Sequence, residues 1–298
     1  MAKAIIGWTL LITFSLFDVA IGREKTVPFQ VAEVDLLVKS LKSKEWSQEQ
    51  LRQLFSNLLF VKMPGMVKIN VTKPIRLKAA SYAHFAEAPA LMRAKEFATR
   101  WKDDLIAAET RYNVDLEMML AIMLVETNLG TYTGDHSLMS VFASVYVDSV
   151  GLLVGSGKLT KKMRKRVKRK KLWALGELQA LLAIKKKYKT NLYRLKGSYA
   201  GAMGLCQFLP SSYLRFAKRR PGLSGAPDLF QAPDAIHSIA SYLNGHGYKS
   251  KIFDRRNRKA IFAYNHSDVY VNVVLKIAKR LNRSPEMASL TAQPLQSH

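Results

Sequence analysis

Eight apolar residues in a row, Met118 to Val125, leave little choice about where their segment lies. Counted with Leu116, they are apolar nearly all round at a helical period, and such a helix is buried. Asp115 and Glu117 fall in its first turn, where the positive end of the helix dipole favours acids. The segment therefore reads as a helix over Leu116 to Thr127, with the rest of the chain wrapped around it. A chain of 298 residues, 48% of them hydrophobic, has the apolar material for this in one large domain or two ordinary ones.

The wrapping is mostly helical. Val34 to Lys42 is a short apolar-periodic helix. Ser47 with Gln50 three residues on is a capping-box pattern, opening a helix through Leu51, Leu54, Leu58 and Leu59. Pro64, Gly65 and Pro74, with Val67, Ile69 and Val71 alternating between polar residues, make 60–77 a loop or short strand pair. Leu91, Ala94, Phe97, Trp101, Leu105 and Ala108 mark one face of a long helix that ends at Arg111-Tyr112-Asn113. Asp234 to Asn244 is an amphipathic helix begun near Pro233 and stopped by Gly245 or Gly247. Ile261 to Leu281 reads as a last core helix, and the polar tail from Ser284 reads as loose.

The ends and the charge bound the setting. Lys3, the apolar run from Ala4 to Phe17, and Ala20 and Gly22 before Arg23 form a signal-peptide pattern, or else an uncleaved anchor. The expected organisation is a signal over 1–22, one domain over 23–284, and a flexible tail over 285–298. The body then works outside the cytoplasm, periplasmic or secreted. The single cysteine, Cys206, permits no internal disulfide, and the scattered histidines form no zinc motif. The net charge of +25 attracts polyanions. Ten of the fourteen residues from Lys158 to Lys171 are Lys or Arg, either a basic helix start or a disordered one.

Three segments carry chemistry. Glu126 closes the buried helix, and Asn128 and Gly130 stop that helix within a turn. A carboxyl beside apolar neighbours at the negative end of a helix dipole has its pKa raised, as a general acid needs. The plainer reading is an exposed glutamate just past a core helix. Lys196 to Tyr213 reads KGSYAGAMGLCQFLPSSY, whose Gly and Ala let a backbone approach a ligand, or another helix, closely. Ala263-Tyr264-Asn265-His266-Ser267 is a polar break in an apolar stretch, a site or a satisfied buried cluster.

Together and in this order, these segments resemble the lytic murein transglycosylases of the membrane-bound lytic transglycosylase B family. The resemblance extends to 47–59, 82–127, Gly176-Glu177-Leu178 and 234–248. It implies a mainly α, lysozyme-like fold, with a helical accessory region and a small α/β or loop-rich insertion around a deep cleft. It implies cleavage of the β-1,4 bond between N-acetylmuramic acid and N-acetylglucosamine of peptidoglycan, leaving 1,6-anhydromuramic ends. One glutamate, matched by Glu126, acts as acid and then as base. Ser198, Tyr199, Gln207, Tyr264 and Asn265 match sugar-binding positions, and Arg169 and Lys170 a basic pair that meets substrate carboxylates.

The family's best-known member has an Asp-rich calcium loop after the Ser-Ser-Tyr helix. Here that place reads Lys218-Arg219-Arg220-Pro221-Gly222-Leu223-Ser224-Gly225-Ala226, so no metal and no cofactor is expected. The expected partners are peptidoglycan glycan strands and, through Lys158 to Lys171, an anionic wall or outer-membrane surface. The expected state is a monomer with no specific nucleic acid. The alternatives are a hydrolytic muramidase, a non-catalytic wall-binding module, and a cationic binder that works through charge alone.

Overall fold

The computed structural model describes residues 26–66, 79–155, 159–250 and 254–292. The export segment, the alternation at Val67, Ile69 and Val71, Lys158, and the end of the tail lie outside them.

A short strand, β1 (Val27–Pro28), leads to α1 (Val31–Leu41) and α2 (Gln48–Phe55). The capping box forms: Ser47 Oγ accepts from the Gln50 N–H at 3.2 Å, and Gln50 Oε1 accepts from the Ser47 N–H at 2.9 Å. β2 (Val61–Lys62) pairs antiparallel with β1, Val27 facing Lys62.

After a 3-10 stretch (Ala79–Ala86) come α3 (Ala88–Arg100) and α4 (Lys102–Tyr112). The sequence reads them as one helix, but Trp101, at φ −115 and ψ 30, breaks it. Ala94 and Ala98 before the break and Leu105 and Ala108 after it are all buried, so the apolar spacing hides the break. Asn113, left-handed at φ 54, turns the chain into α5 (Leu116–Thr127), buried along its whole length.

β3 (His136–Ser137) opens α6 (Leu138–Gly155), and α7 (Lys161–Tyr188) packs back along α6 as a hairpin. The basic start of α7 is helical. Thr160 Oγ accepts from the Met163 N–H at 3.2 Å, and Val167 packs with Leu152, Leu153 and Leu159 in a small separate cluster. Ser140 and Ser144 on α6 hold β2 by accepting from the Val61 and Met63 N–H groups at 3.2 and 2.8 Å.

β4 (Lys196–Gly197) pairs antiparallel with β3 and is followed by α8 (Pro210–Phe216). Glu177, buried on α7, accepts from the Ser211 N–H at 2.9 Å and from its hydroxyl at 2.7 Å, capping the first turn of α8. Then come α9 (Ala232–Gly245), α10 (Arg255–Tyr264) and α11 (Asp268–Asn282). The expected single helix over Ile261 to Leu281 is two. The chain extends at Asn265, and Ser267 caps a new helix by accepting from the Tyr270 N–H at 3.3 Å. The expected loose tail is helical at its start, as α12 (Pro285–Ala292), because Met287 finds a place in the core.

α5 is the axis of the fold. α11, α3, α4, α9 and the 3-10 stretch pack against it, while α1 packs on both helices of the α6–α7 hairpin and α8 on α7. Each large apolar side chain fully buried here contributes about 1.5–3 kcal/mol relative to leaving it exposed. The mainly α expectation holds: the strands among the described residues form two two-residue ribbons.

Candidate active site

The C-terminus of α5 ends in a tight turn. Asn128, Leu129 and Gly130 are successively left-handed at φ 49, 59 and 94. Thr127 Oγ accepts from the Gly130 N–H at 2.9 Å and donates to the Leu205 carbonyl at 3.0 Å. The last turn of α5 is thereby pinned to the Gly-rich block, and Glu126 is fixed just before it.

Glu126 is 4% exposed, so it is not the solvated glutamate of the plainer reading. Burial pushes its pKa up to about 8, against the lowering effect of the Tyr270 hydroxyl, which donates to Glu126 Oε1 at 2.6 Å. At neutral pH the group is a carboxylic acid. Tyr82 and Tyr264 are buried close enough that the Glu126 charge adds to burial in raising both hydroxyls. The Tyr264 hydroxyl donates to the Cys206 carbonyl, and its ring stands 4.8 Å from Tyr242 and 6.0 Å from Phe208. Burial also pushes the Cys206 thiol up, so it is inert.

The Gly-rich block is a folded loop rather than a helix crossing. The Ser198 N–H donates to the Ala202 carbonyl at 2.8 Å, and Met203 and Phe208 pair at 2.9 and 3.1 Å. Gly204 is at φ 70, and a Cβ there would lie 2.4 Å from the Leu229 carbonyl oxygen, which accepts from the neighbouring Leu205 N–H. Gln207 is also left-handed, at φ 49. Its Nε2 donates to the Gly204 carbonyl at 2.9 Å and the Thr133 carbonyl at 3.2 Å, leaving a buried Oε1 that receives no hydrogen bond.

The fold thus gathers Glu126, Tyr264 and the backbone of 205–208, with Asn265 buried next to Tyr264. Ser198 is fully buried, its Oγ accepting from the Ala202 N–H at 3.1 Å, so its hydroxyl serves the loop. Tyr199 is likewise buried. Arg169 is exposed on α7, whereas Lys170 is buried, donates to the Met66 carbonyl at 3.4 Å, and is pushed down to about 8 by desolvation.

A cavity of about 210 Å³ opens over Glu126, lined also by His84, Arg93, Thr127, Asn128 and Tyr132. Sequence reasoning missed His84, Arg93, Tyr132 and, above all, Tyr270. On one continuous helix, Tyr264 and Tyr270 point to different sides. The turn at 265–267 brings both near Glu126, with Tyr270 donating to it and Tyr264 bonded to the Cys206 carbonyl. The available signal was the Ser267-Asp268 pair, a helix cap with an acid in the first turn.

The family model for the transglycosylase SLT domain matches residues 30–253. The chain belongs to this transglycosylase SLT domain family. Over 152 residues it is 30% identical to the membrane-bound lytic murein transglycosylase B of Escherichia coli (strain K12), a match of 51% of this chain and 37% of that relative. The fold is that of the lytic transglycosylase SltB1 from Pseudomonas aeruginosa, at TM-score 0.68 and 22% identity, covering 86% of this chain and 98% of that one. The Escherichia coli lytic transglycosylase Slt35 in complex with calcium matches at TM-score 0.67 and 19% identity, covering 84% and 92%.

This SLT domain chain does not offer calcium a site after α8. Asp234 accepts from the Arg219 guanidinium at 2.8 Å and from the Arg220 and Asp228 N–H groups at 2.8 and 2.6 Å. A guanidinium and two amides already satisfy the carboxylate, and no group of metal-binding side chains forms among the described residues. The residues do not fit the ion, and no chemistry here runs through one.

Proposed function

We propose that this chain is an exported lytic transglycosylase, a lyase that cleaves the β-1,4 bond between N-acetylmuramic acid and N-acetylglucosamine of peptidoglycan. One observation carries the reading: Glu126 is a carboxyl with a pKa raised to about 8, hydrogen-bonded by Tyr270 and bordering an open cavity. No second carboxylate lines that cavity among the described residues, which favours a one-carboxylate scheme over the usual pair.

In that scheme Glu126 gives its proton to the glycosidic oxygen as the C1–O4 bond breaks. The Tyr270 hydroxyl stabilises the carboxylate left behind. That carboxylate then takes the proton of the muramic C6 hydroxyl as O6 bonds to C1, which closes the 1,6-anhydro ring and restores the acid. No water is consumed. Gln207 Oε1, buried without a donor, is suited to accept from a sugar hydroxyl or N-acetyl N–H, and Tyr264 and Asn265 are the further sugar-binding candidates. Ser198 and Tyr199 would reach a sugar only if the loop opened, and Arg169 is the exposed member of the basic pair.

The relatives support the substrate class: SltB3 from Pseudomonas aeruginosa has been solved with NAG-NAM-pentapeptide and with NAG-anhNAM-pentapeptide. Such a substrate lies outside the cytoplasm, in keeping with the export pattern of the first 22 residues. The test is mass spectrometry of products from purified sacculi, wild type beside Glu126→Gln. Anhydro-ended muropeptides from the wild type alone are expected. Products one water heavier would make the chain a muramidase, and binding without products a wall-binding module.

A second reading concerns the basic helix start. Lys161, Lys162, Lys165, Lys168 and Lys171 on α7 have no ion-pair partner among the described residues. This favours their service as a tether to an anionic wall or outer-membrane surface.

A further inference from the structure

The cavity over Glu126 has one permanent cation among its lining residues, Arg93, and no step of the proposed chemistry uses it. Arg93 stands on α3, and its Nε and Nη2 both donate to Asn128 Oδ1, at 3.3 and 3.1 Å. Asn128 is the left-handed cap of α5, two residues after Glu126. The guanidinium is therefore anchored, through the Asn128 side chain, to the same turn that presents the acid. Both bonds go to one neutral oxygen, and no carboxylate pairs with Arg93 among the described residues. Nη1 and the second Nη2 hydrogen remain available on an exposed residue. A guanidinium held along one edge with a free edge at a cavity suits a planar anion that takes two parallel N–H bonds.

Resting on the transglycosylase reading, we propose that Arg93 is a carboxylate-binding subsite of the cleft. It would take a carboxylate carried by the glycan, that of a stem peptide or an unsubstituted lactyl group, and favour anionic strands over neutral ones. His84 and Tyr132 beside it offer flat faces on which the attached sugar can rest.

The test compares two preparations of soluble glycan strands from sacculi. One keeps its carboxylates, and the other has them amidated. The acid-dead Glu126→Gln protein is titrated with both, with and without Arg93→Ala or Arg93→Lys. Glu126→Gln is expected to bind the carboxylate-bearing strands about tenfold more tightly than the amidated ones at low salt, with the gap narrowing as salt rises. Adding Arg93→Ala should remove most of this preference, leaving only the diffuse attraction of the +25 chain for anionic strands, and Arg93→Lys should restore it only in part. Equal affinity for the two preparations, or a preference that Arg93→Ala leaves undiminished, overturns the proposal. Binding is read without turnover, so a wild type that releases no anhydro product defeats the functional reading and still leaves the Arg93 result decisive.

Discussion

Glu126 is held where its charged form is disfavoured, as the proposed role of general acid requires, and that arrangement costs stability. Its folded pKa, about 8, lies above that of the unfolded chain, so the folded protein keeps a proton that the unfolded chain gives up. The stability is complete at acid pH and is lost as pH rises from the ordinary glutamate range through about 8. Glu126→Gln has no such proton. Its stability relative to wild type should grow between pH 5 and pH 8, reaching about 2–4 kcal/mol, as measured by urea unfolding at each pH. Glu109, also raised by burial to about 7, titrates in both proteins and cancels in the difference. A difference that stays flat with pH would mean that Glu126 is ionised in the fold. Tyr270→Phe tests the other half of the pair. Losing a donor to the carboxylate raises the Glu126 pKa further, so the alkaline limb of the pH–rate profile should move to higher pH. Meanwhile kcat should fall about 10–100-fold, since the carboxylate formed in the first step loses its hydrogen bond. A limb that moves down, or stays put, would remove Tyr270 from the acid's control.

At the scale of elements, α5 was legible because periodicity, length and end signals agree: apolar on all sides, acids at its start, Asn128 and Gly130 at its end. The Ser47 cap was legible for the same kind of local reason. The breaks at Trp101 and at 265–267 were not, because buried positions keep helical spacing across the first, and the second depends on a cap inside a polar cluster. α6 went unread, since an apolar helix covered on most sides carries little periodic contrast. For the Gly-rich block two uses stood open, and only packing decides between them. Gly204 turns against Leu229, where a side chain has no room. Gly204→Ala should therefore cost about 2–4 kcal/mol, from left-handed strain and the clash with backbone. It should also lower activity by displacing the Leu205 and Cys206 carbonyls that bind Thr127 and Tyr264. Gly176, helical on α7 with nothing within 4 Å of where a Cβ would stand, is the contrasting case. Gly176→Ala should add about 0.5–1 kcal/mol. Chemical unfolding of the two variants checks both signs, and a neutral Gly204→Ala would mean that the loop can slide off Leu229.

Across the whole molecule, a net charge of +25 opposes compaction, and the core must overcome that repulsion. The charge is also unevenly placed. The start of α7 concentrates lysines at one end of the α6–α7 hairpin, where the small Val167 cluster joins the two helices apart from the main core. A basic helix there can meet a large anionic surface without disturbing α5. On the proposed function the cleft would recognise a local glycan geometry, whereas this hairpin end would answer only to charge density, so the two contributions should separate by salt. Replacing Lys161, Lys162, Lys165, Lys168 and Lys171 together with Gln keeps helix propensity while removing five charges. Sacculus binding by the variant should weaken several-fold at low salt and converge with wild type as ionic strength rises, because screening removes what the substitution removed. Turnover of short soluble glycans, which span the cleft but cannot reach the hairpin end, should change little. Pelleting with sacculi across a salt series, beside turnover of the short glycans, distinguishes the cases. A loss that persists at high salt would place the lysines in specific contacts rather than a field, and equal binding at every salt would end the tether idea.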